Sequence, residues 1–557
     1  MGFWWKPLGL IVFLAPSAAY STGAAAPGGG TILQQIQSAP APPQPSGGTG
    51  LTIEQELRGK SLPSKPFLVK SIHISGNTLF DSETLHALVI DAEGNNLDLS
   101  QLLELASRIT DYYRSHGYPL ARAIIPAQVI QDGVVVLEVI EARYGKINLN
   151  NGSQINVQLL DATLSLLVSG QNINQGALDS TLLLLSDMPG IIVNATLKPG
   201  ETAGSSDLLV ETTSGPSVTG NISLDNYGYR YTGLMRIGGS VNLIEPLHLG
   251  DILSASGLDS GSGMNYGRFS YESLLNGQGT RLGASYSALH YVLGDAFAPL
   301  DAHGLAEVGS LWIRHPLVRS LDFNLYGQMQ FDALQLSDRI DSSAIRTDRN
   351  LANGTVSIAG DGRDTYLSGG VNNWYLGWTA GHVDFVNDAA QMADATTART
   401  QGDFSKVNVN FSRLQRLNSK NSLYIAFSGQ WANTNLDQSQ KMIAGGPYTV
   451  RAYDMGAVSG DMGYSGTAEY RRDLGTAWDG QWQAVTFIDS EHITVNKSTW
   501  VSGINSAVLS GAGVGLNWAG PDQWTAKSYV AARIGPLPLL ASSSGSAHAW
   551  LEISKNF

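Results

Sequence analysis

The chain contains no cysteine in 557 residues. That absence removes disulfides, thiol catalysis and Cys-ligated metals. In a chain of this size it suits an oxidising compartment in which no disulfide is wanted. Charge is scarce as well: 15% of residues are Asp, Glu, Lys or Arg, against about 25% in ordinary soluble domains. Basic residues are the scarcer kind, 34 against 47 acidic for a net charge of −13. That balance argues against nucleic acid as a partner, because neutralising phosphates requires a basic face. No segment reaches about 18 uninterrupted apolar residues, so no transmembrane helix is expected.

What is present is arranged in blocks. Lys6 precedes a short apolar core, Leu8–Ala15, and small residues follow it (Ser17-Ala18-Ala19, Ala24-Ala25-Ala26). This is the layout of a secretory signal over residues 1–26, cleaved near 19–26, and its core is too short to span a bilayer. Residues 27–66 are rich in Pro, Gly, Ser and Gln and form a linker. Within it "GTILQQIQ", residues 30–37, has the makings of a short helix that Pro40, Pro42 and Pro43 stop.

From 67 to 143 the pattern changes. "FLVKSIHISGNTLF" is a strand and a turn, and "DSETLHALVI" is a short helix. In "SQLLELASRITDYYRSHGY" the residues Leu102, Leu105, Ala106, Ile109, Tyr112 and Tyr113 share one helix face. Ser100 is the expected cap and Gly117 the expected stop. "YPLARAIIPAQ" and "GVVVLEVIEARYG" are strands around Asp132-Gly133. Residues 144–214 repeat the β-α-α-β-β order, with helices at Leu159–Val168 and Ala177–Ser186, so the two stretches form a tandem of small domains.

From 215 to 557 the helical period is gone, and segments of about ten residues alternate in polarity instead. Met235, Ile237, Val241 and Leu243 share one face. Leu423, Ile425, Phe427 and Trp431 do the same, as do Val407, Val409 and Phe411. The opposite faces carry charged and amide groups, Tyr and Trp cluster near segment ends, and the last segment, "AWLEISKNF", puts Leu551, Ile553 and Phe557 on one face. The expected fold class is mainly β: a transmembrane antiparallel β-barrel of about sixteen strands behind two small β-α-α-β-β domains. One long Gly-rich stretch, 438–463, interrupts the strands.

Four stretches together resemble the outer-membrane transporters of two-partner secretion, the hemolysin secretion/activation branch of the Omp85 superfamily. They are "SIHISGNTLFDSETL" (71–85), "LLLLSDMPGIIVNATLKPG" (182–200), "SLDNYGYRYTGLMRIGGSVNLIEPLHLGD" (223–251) and "GGPYTVRAYDMGAVSGDMGYSGTAEYRRDL" (445–474). The resemblance makes 67–143 and 144–214 POTRA domains, 215–557 the barrel and 438–463 a loop that folds back into the lumen. The family's tip motif V-R-G-Y/F falls on Val450, Arg451, Ala452 and Tyr453. Ala452 stands where Gly is usual, which restricts a left-handed backbone there. The inner-wall motif F-x-D falls on Phe487 and Asp489, and Glu491 replaces a frequent Gly. Alternation in "WQAVTFID" places Phe487 and Asp489 on one face and Trp482, Ala484 and Ile488 on the other. Arg451 facing lipid would cost ~2–4 kcal/mol, so Asp489 is its expected partner. A solvated external loop is the alternative.

The implied function is secretion of an unfolded partner exoprotein, captured by 67–214 in the periplasm and passed through a monomeric barrel in outer-membrane lipid. In that reading 30–37, with Ile32, Leu33 and Ile36, is a plug that leaves during transport; a solvated linker is the alternative. Within the superfamily an assembly factor for outer-membrane proteins remains open, and so does a passive porin. No cofactor, metal or enzymatic role is expected. "RGKS" (58–61) lacks the first glycine of a phosphate loop, "GAGVG" (511–515) lacks dinucleotide spacing, and no histidines stand at metal spacing.

Overall fold

The computed structural model describes residues 26–36, 50–53 and 65–557. The expected signal segment, apart from Ala26, lies outside the described residues, as do linker stretches 37–49 and 54–64.

The first small domain has a three-stranded sheet in the order Ser71–Ser75, Val134–Ile140, Arg122–Ile124. The strand expected across 118–128 shrinks to three residues because Pro119 and Pro126 flank it and donate nothing to a ladder. The helix Leu99–Ser115 buries Leu102, Leu105, Ala106, Ile109 and Tyr113 against the sheet. Its cap is Asp98 rather than the expected Ser100. The Asp98 side chain accepts the Gln101 N–H, and the Gln101 side chain accepts the Asp98 N–H, each at 2.9 Å. That reciprocal box satisfies two orphan groups, which Ser100, already inside the helix, cannot do. Gly117 sits at φ +86°, a left-handed stop.

The second domain has the strand Arg143–Gly152, helices Val157–Leu164 and Gln175–Ser186, and strands Ile191–Pro199 and Ser205–Ser214. The linker adds a strand to it. Leu51–Ile53 pairs in parallel with Ala195–Leu197, so the sheet order is 51–53, 191–199, 205–214, 143–152. The domain is fastened to the barrel. Arg319, next to a strand-connecting turn, grips the Asp187 carboxylate at 2.7 and 2.8 Å, and Arg281 donates to the Asp187 carbonyl at 2.6 Å. Leu274, at the end of the barrel strand Met264–Leu274, enters the domain's core.

Sixteen antiparallel strands then close a barrel from Val218–Asp225 to Ala547–Asn556. Ile237, Val241, Leu243, Ile425, Phe427, Trp431, Leu551, Ile553 and Phe557 stand exposed on the outer surface. That is the lipid-facing half of the alternation, while polar residues line the lumen. Among the described residues no helix is long and apolar enough to cross a membrane. Strand parity puts both small domains and the C-terminus at one rim. The eleventh strand, Asn421–Ala432, and the twelfth, Met462–Ala477, are joined at the other rim by a loop spanning 433–461, longer at its start than the expected 438–463. The loop carries its own ribbon, Met442–Ala444 with Val458–Gly460, and folds back into the barrel.

Candidate functional site

The tip of this loop meets the wall at the thirteenth strand, Gly480–Thr494. Strand alternation turns Val485, Phe487 and Asp489 inward and leaves Ile488 on the lipid side. Arg451 binds Asp489 through three donors: Nε to Oδ2 at 2.9 Å, Nη2 to Oδ1 at 2.8 Å, and the backbone N–H to Oδ2 at 3.2 Å. The guanidinium carbon lies 3.4 Å from the Phe487 ring centroid, so the F-x-D motif supplies a charge and a stacking surface together. Arg451 is 4% exposed and Asp489 1%. The pair is therefore desolvated, and removing one partner strands a buried charge at a cost of ~3–5 kcal/mol. The solvated external loop is excluded for this tip.

Ala452 does not need the left-handed backbone reserved for Gly, because it is not among the residues with positive φ. Its Cβ points at Gly511 on the fourteenth strand, Ser506–Ala519, where any side-chain carbon at position 511 would collide with it. The tip's extra methyl is thus accommodated by a missing one on the wall. Val450 and Tyr453 are fully buried beside Val485, Phe487 and Leu509.

Several members of this site were not singled out from the sequence. Glu469 on the twelfth strand accepts the third arm of Arg451, Nη1 to Oε1 at 2.7 Å, and its other oxygen accepts from Arg471 at 2.6 and 2.8 Å. Alternation in "GTAEYRRDL" puts Thr467, Glu469 and Arg471 on one face, a signal that points to them. Thr467 donates to Asp489 at 3.0 Å, and the Trp550 indole N–H donates to the Arg451 carbonyl at 2.7 Å. Asp454 accepts from the Ser544 N–H at 2.7 Å and its hydroxyl at 2.9 Å, tying the loop to the last hairpin.

The helix expected at 30–37 spans Gly29–Ile36 and lies inside the barrel, not in a solvated linker. Ile32 is 1% exposed in an apolar collar of Leu289, Tyr291, Leu334, Leu336, Val383 and Phe404. Leu33 and Ile36 pack at its margin. The helix start is fastened to the rim away from the small domains. The Gly29 N–H donates to Asp338 at 2.7 Å and the Gly28 N–H to Gln438 at 3.1 Å. Asp338 also accepts from Tyr291 and Arg349, each at 2.7 Å. Three of these contacts come from the long loop: besides the Gly28 N–H, Gln438 accepts from the Thr31 hydroxyl at 3.2 Å, and the Ser439 carbonyl accepts from Gln34. Toward the small domains the lumen opens into a cavity of about 730 Å³ lined by Ser256, Gln328, Asn353, Thr355, Lys406 and Asn408 among others. Among the described residues no cluster of three His, Asp or Glu is arranged to hold a metal.

The profile of the family described as haemolysin secretion/activation protein ShlB/FhaC/HecB matches residues 204–518, and that of the ShlB-type POTRA domain matches 67–142. The heme/hemopexin transporter protein HuxB of Haemophilus influenzae (strain 86-028NP) is 27% identical over 469 residues, 83% of this chain and 82% of the relative. The outer membrane transporter CdiB of Dickeya dadantii (strain 3937) is 24% identical over 488 residues, 81% of this chain and 80% of the relative. Among solved structures the fold is similar to that of CdiB from Escherichia coli, with a TM-score of 0.70 at 20% identity over 92% of this chain and 94% of the other. It is also similar to BamA from Haemophilus ducreyi lacking POTRA domains 1–3, with a TM-score of 0.51 at 13% identity over 88% of this chain and all of the other, 100%. The chain belongs to the haemolysin secretion/activation protein family ShlB/FhaC/HecB, outer-membrane transporters of two-partner secretion with their POTRA domains in the periplasm.

Proposed function

We propose that this transporter secretes an unfolded exoprotein through a lumen held shut at rest by two devices, the helix Gly29–Ile36 as a plug and the Arg451–Asp489 contact as a lock. The observation that carries the reading is their interlocking: the loop that carries Arg451 at its tip also supplies Gln438 and Ser439 to the helix seat. Releasing one therefore loosens the other. A steadily open porin has no use for either closure.

The POTRA tandem captures the exoprotein by strand addition, because main-chain pairing tolerates varied sequence. At the edge 191–199 the cargo must displace Leu51–Ile53, which occupies it. Because 51–53 and the helix belong to one continuous linker, displacement there pulls on the plug. Folding of the exported chain outside supplies direction, since the periplasm offers no ATP.

The test is secretion by intact cells. A candidate exoprotein, a large repeat-rich exported protein, is expressed with the wild type, with an empty vector, and with a deletion of 27–36. Export that depends on the transporter is the expected outcome, with the deletion raising basal conductance in planar bilayers. Equal export with the empty vector refutes the transport role for that cargo, and an unchanged conductance refutes the plug.

A further inference from the structure

One buried acid makes no ion pair in the closed state among the described residues. Glu491 is 1% exposed, and among the described residues neither carboxyl oxygen has a partner in hydrogen-bond geometry. Its polar neighbour on the loop is the buried Thr449 hydroxyl, close enough to interact with the carboxyl but outside hydrogen-bond geometry. An unpaired buried carboxyl is expensive, and native folds rarely keep one without a use.

Its position suggests the use. Asp489 lies opposite Thr467 and Gly511, and Glu491 lies opposite Ser465 and Leu509. The two acids are two residues apart on one strand, so both point into the lumen and stand about 7 Å apart along it. Glu491 is the nearer to the rim from which the loop descends. A guanidinium leaving Asp489 outward meets Glu491 next, and the longer Glu side chain reaches one methylene further into the lumen.

We propose that Glu491 is a second berth for Arg451: a positioning residue that holds the loop tip in a raised, partly open state during transport. The move exchanges partners without leaving the guanidinium bare in the lumen. Arg451 gives up Asp489, Glu469 and the Trp550 contact, and the orphaned Glu491 carboxyl gains its partner. Thr449, which covers Glu491 in the closed state, rises with the tip. Asp489, left behind, keeps the hydroxyl of Thr467. The raised state is thus bounded, and the loop returns to Asp489 when the cargo has passed.

The inference rests on the lock reading, and its test needs no cargo, so its failure is distinct from a failure of secretion. Single channels are recorded in planar bilayers for the wild type, Asp489→Asn, Glu491→Gln, Glu491→Asp and the double variant Asp489→Asn/Glu491→Gln. Folding is checked by heat-modifiable gel migration. The wild type should show a brief intermediate conductance, which Asp489→Asn makes dominant. Glu491→Gln should shorten its dwell at least tenfold in both backgrounds, and Glu491→Asp should restore much of it. An intermediate whose dwell ignores Glu491→Gln overturns the proposal, and so does one that is absent from Asp489→Asn. A second measurement needs no Glu491 variant. Spin labels on cysteines introduced at Tyr448 and Asn410 of this cysteine-free chain should report a second, longer distance population in Asp489→Asn. A single population there overturns the proposal as well.

Discussion

Gly30→Ala sets two physical effects against each other at the helix seat. Gly30 lies in the first turn of Gly29–Ile36 and is not at positive φ, so its backbone accepts alanine. Helix propensity alone then favours the substitution, by up to about 1 kcal/mol. The wall opposes it. A Cβ on Gly30 would lie 2.7 Å from the Ser439 backbone nitrogen, 2.9 Å from its Cβ and 3.0 Å from its Cα. Ser439 cannot yield easily. It is fully buried, its N–H and hydroxyl both donate to Asp437 at 2.9 and 2.7 Å, and Arg349 stands 3.3 Å from that carboxylate. Overpacking against a fixed backbone costs ~1–3 kcal/mol. The net effect is ~1–2 kcal/mol against the seated helix, a factor of roughly 5–30 in its occupancy. Gly29→Ala is the internal control. Its nearest atoms are the Tyr291 ring at 3.3 Å and the Ala306 Cβ and Asp338 Oδ1 at 3.4 Å, which need shift by no more than a few tenths of an ångström, so the channel should stay about as closed as the wild type. The open fraction in planar bilayers, measured for both variants, should rise only for Gly30→Ala. A Gly30→Ala channel as closed as the wild type, or more closed, refutes the reasoning and makes the helix start freer than its contacts imply.

Reversing the lock, Arg451→Asp with Asp489→Arg, should restore secretion only in part, because Asp at 451 still faces Glu469; adding Glu469→Gln, which removes that repulsion and keeps an acceptor for Arg471, should raise it further. Equal secretion by the single, double and triple variants would exclude direct pairing. A third expectation concerns pH at the periplasmic turn that follows the strand Arg236–Ile244. Burial, with the Asp251 charge acting in the same sense, pushes the Glu245 carboxyl up to about 7. A raised carboxyl contributes stability that is complete below its ordinary value and lost as pH rises through about 7, an effect on the order of 3 kcal/mol at most. Amide exchange at Leu247, Leu249 and Gly250 should therefore accelerate more between pH 5.5 and 8 in the wild type than in Glu245→Gln, and equal slopes would refute the assignment.

Much of the architecture was legible because the signals were local. A period of two residues marks a strand wherever it lies, and its two faces separate lipid from lumen before any partner strand is known. That is why alternation alone sets Phe487 and Asp489 on one face of their strand. The helix at 29–36 was legible as a helix, but not its place in the collar, since an eight-residue apolar helix serves equally in a linker or a core. The strand Leu51–Ile53 was illegible: three residues carry no periodicity, and their pairing is made by an edge more than a hundred residues away. Glu469 was missed although alternation put it on the lumen face, because nothing in a series of inward acids says which one the loop tip reaches.

The sequence by itself determined the alternation, the tandem of small domains, the long Gly-rich loop, and the inward arginine that must find a carboxylate. Each follows from rules that act over a few residues: strand pleat, helix period, and the cost of charge in lipid. Only the tertiary structure decided that Arg451 takes two carboxylates and a ring, that the helix seat is partly built from the loop, that Gly511 makes room for Ala452, and that Glu491 is buried with no ion pair among the described residues. These depend on which strands the closed barrel sets side by side and on how deeply the loop descends. Burial and the exclusion of water then give the contacts their strength, and neither is a property of any short stretch of chain.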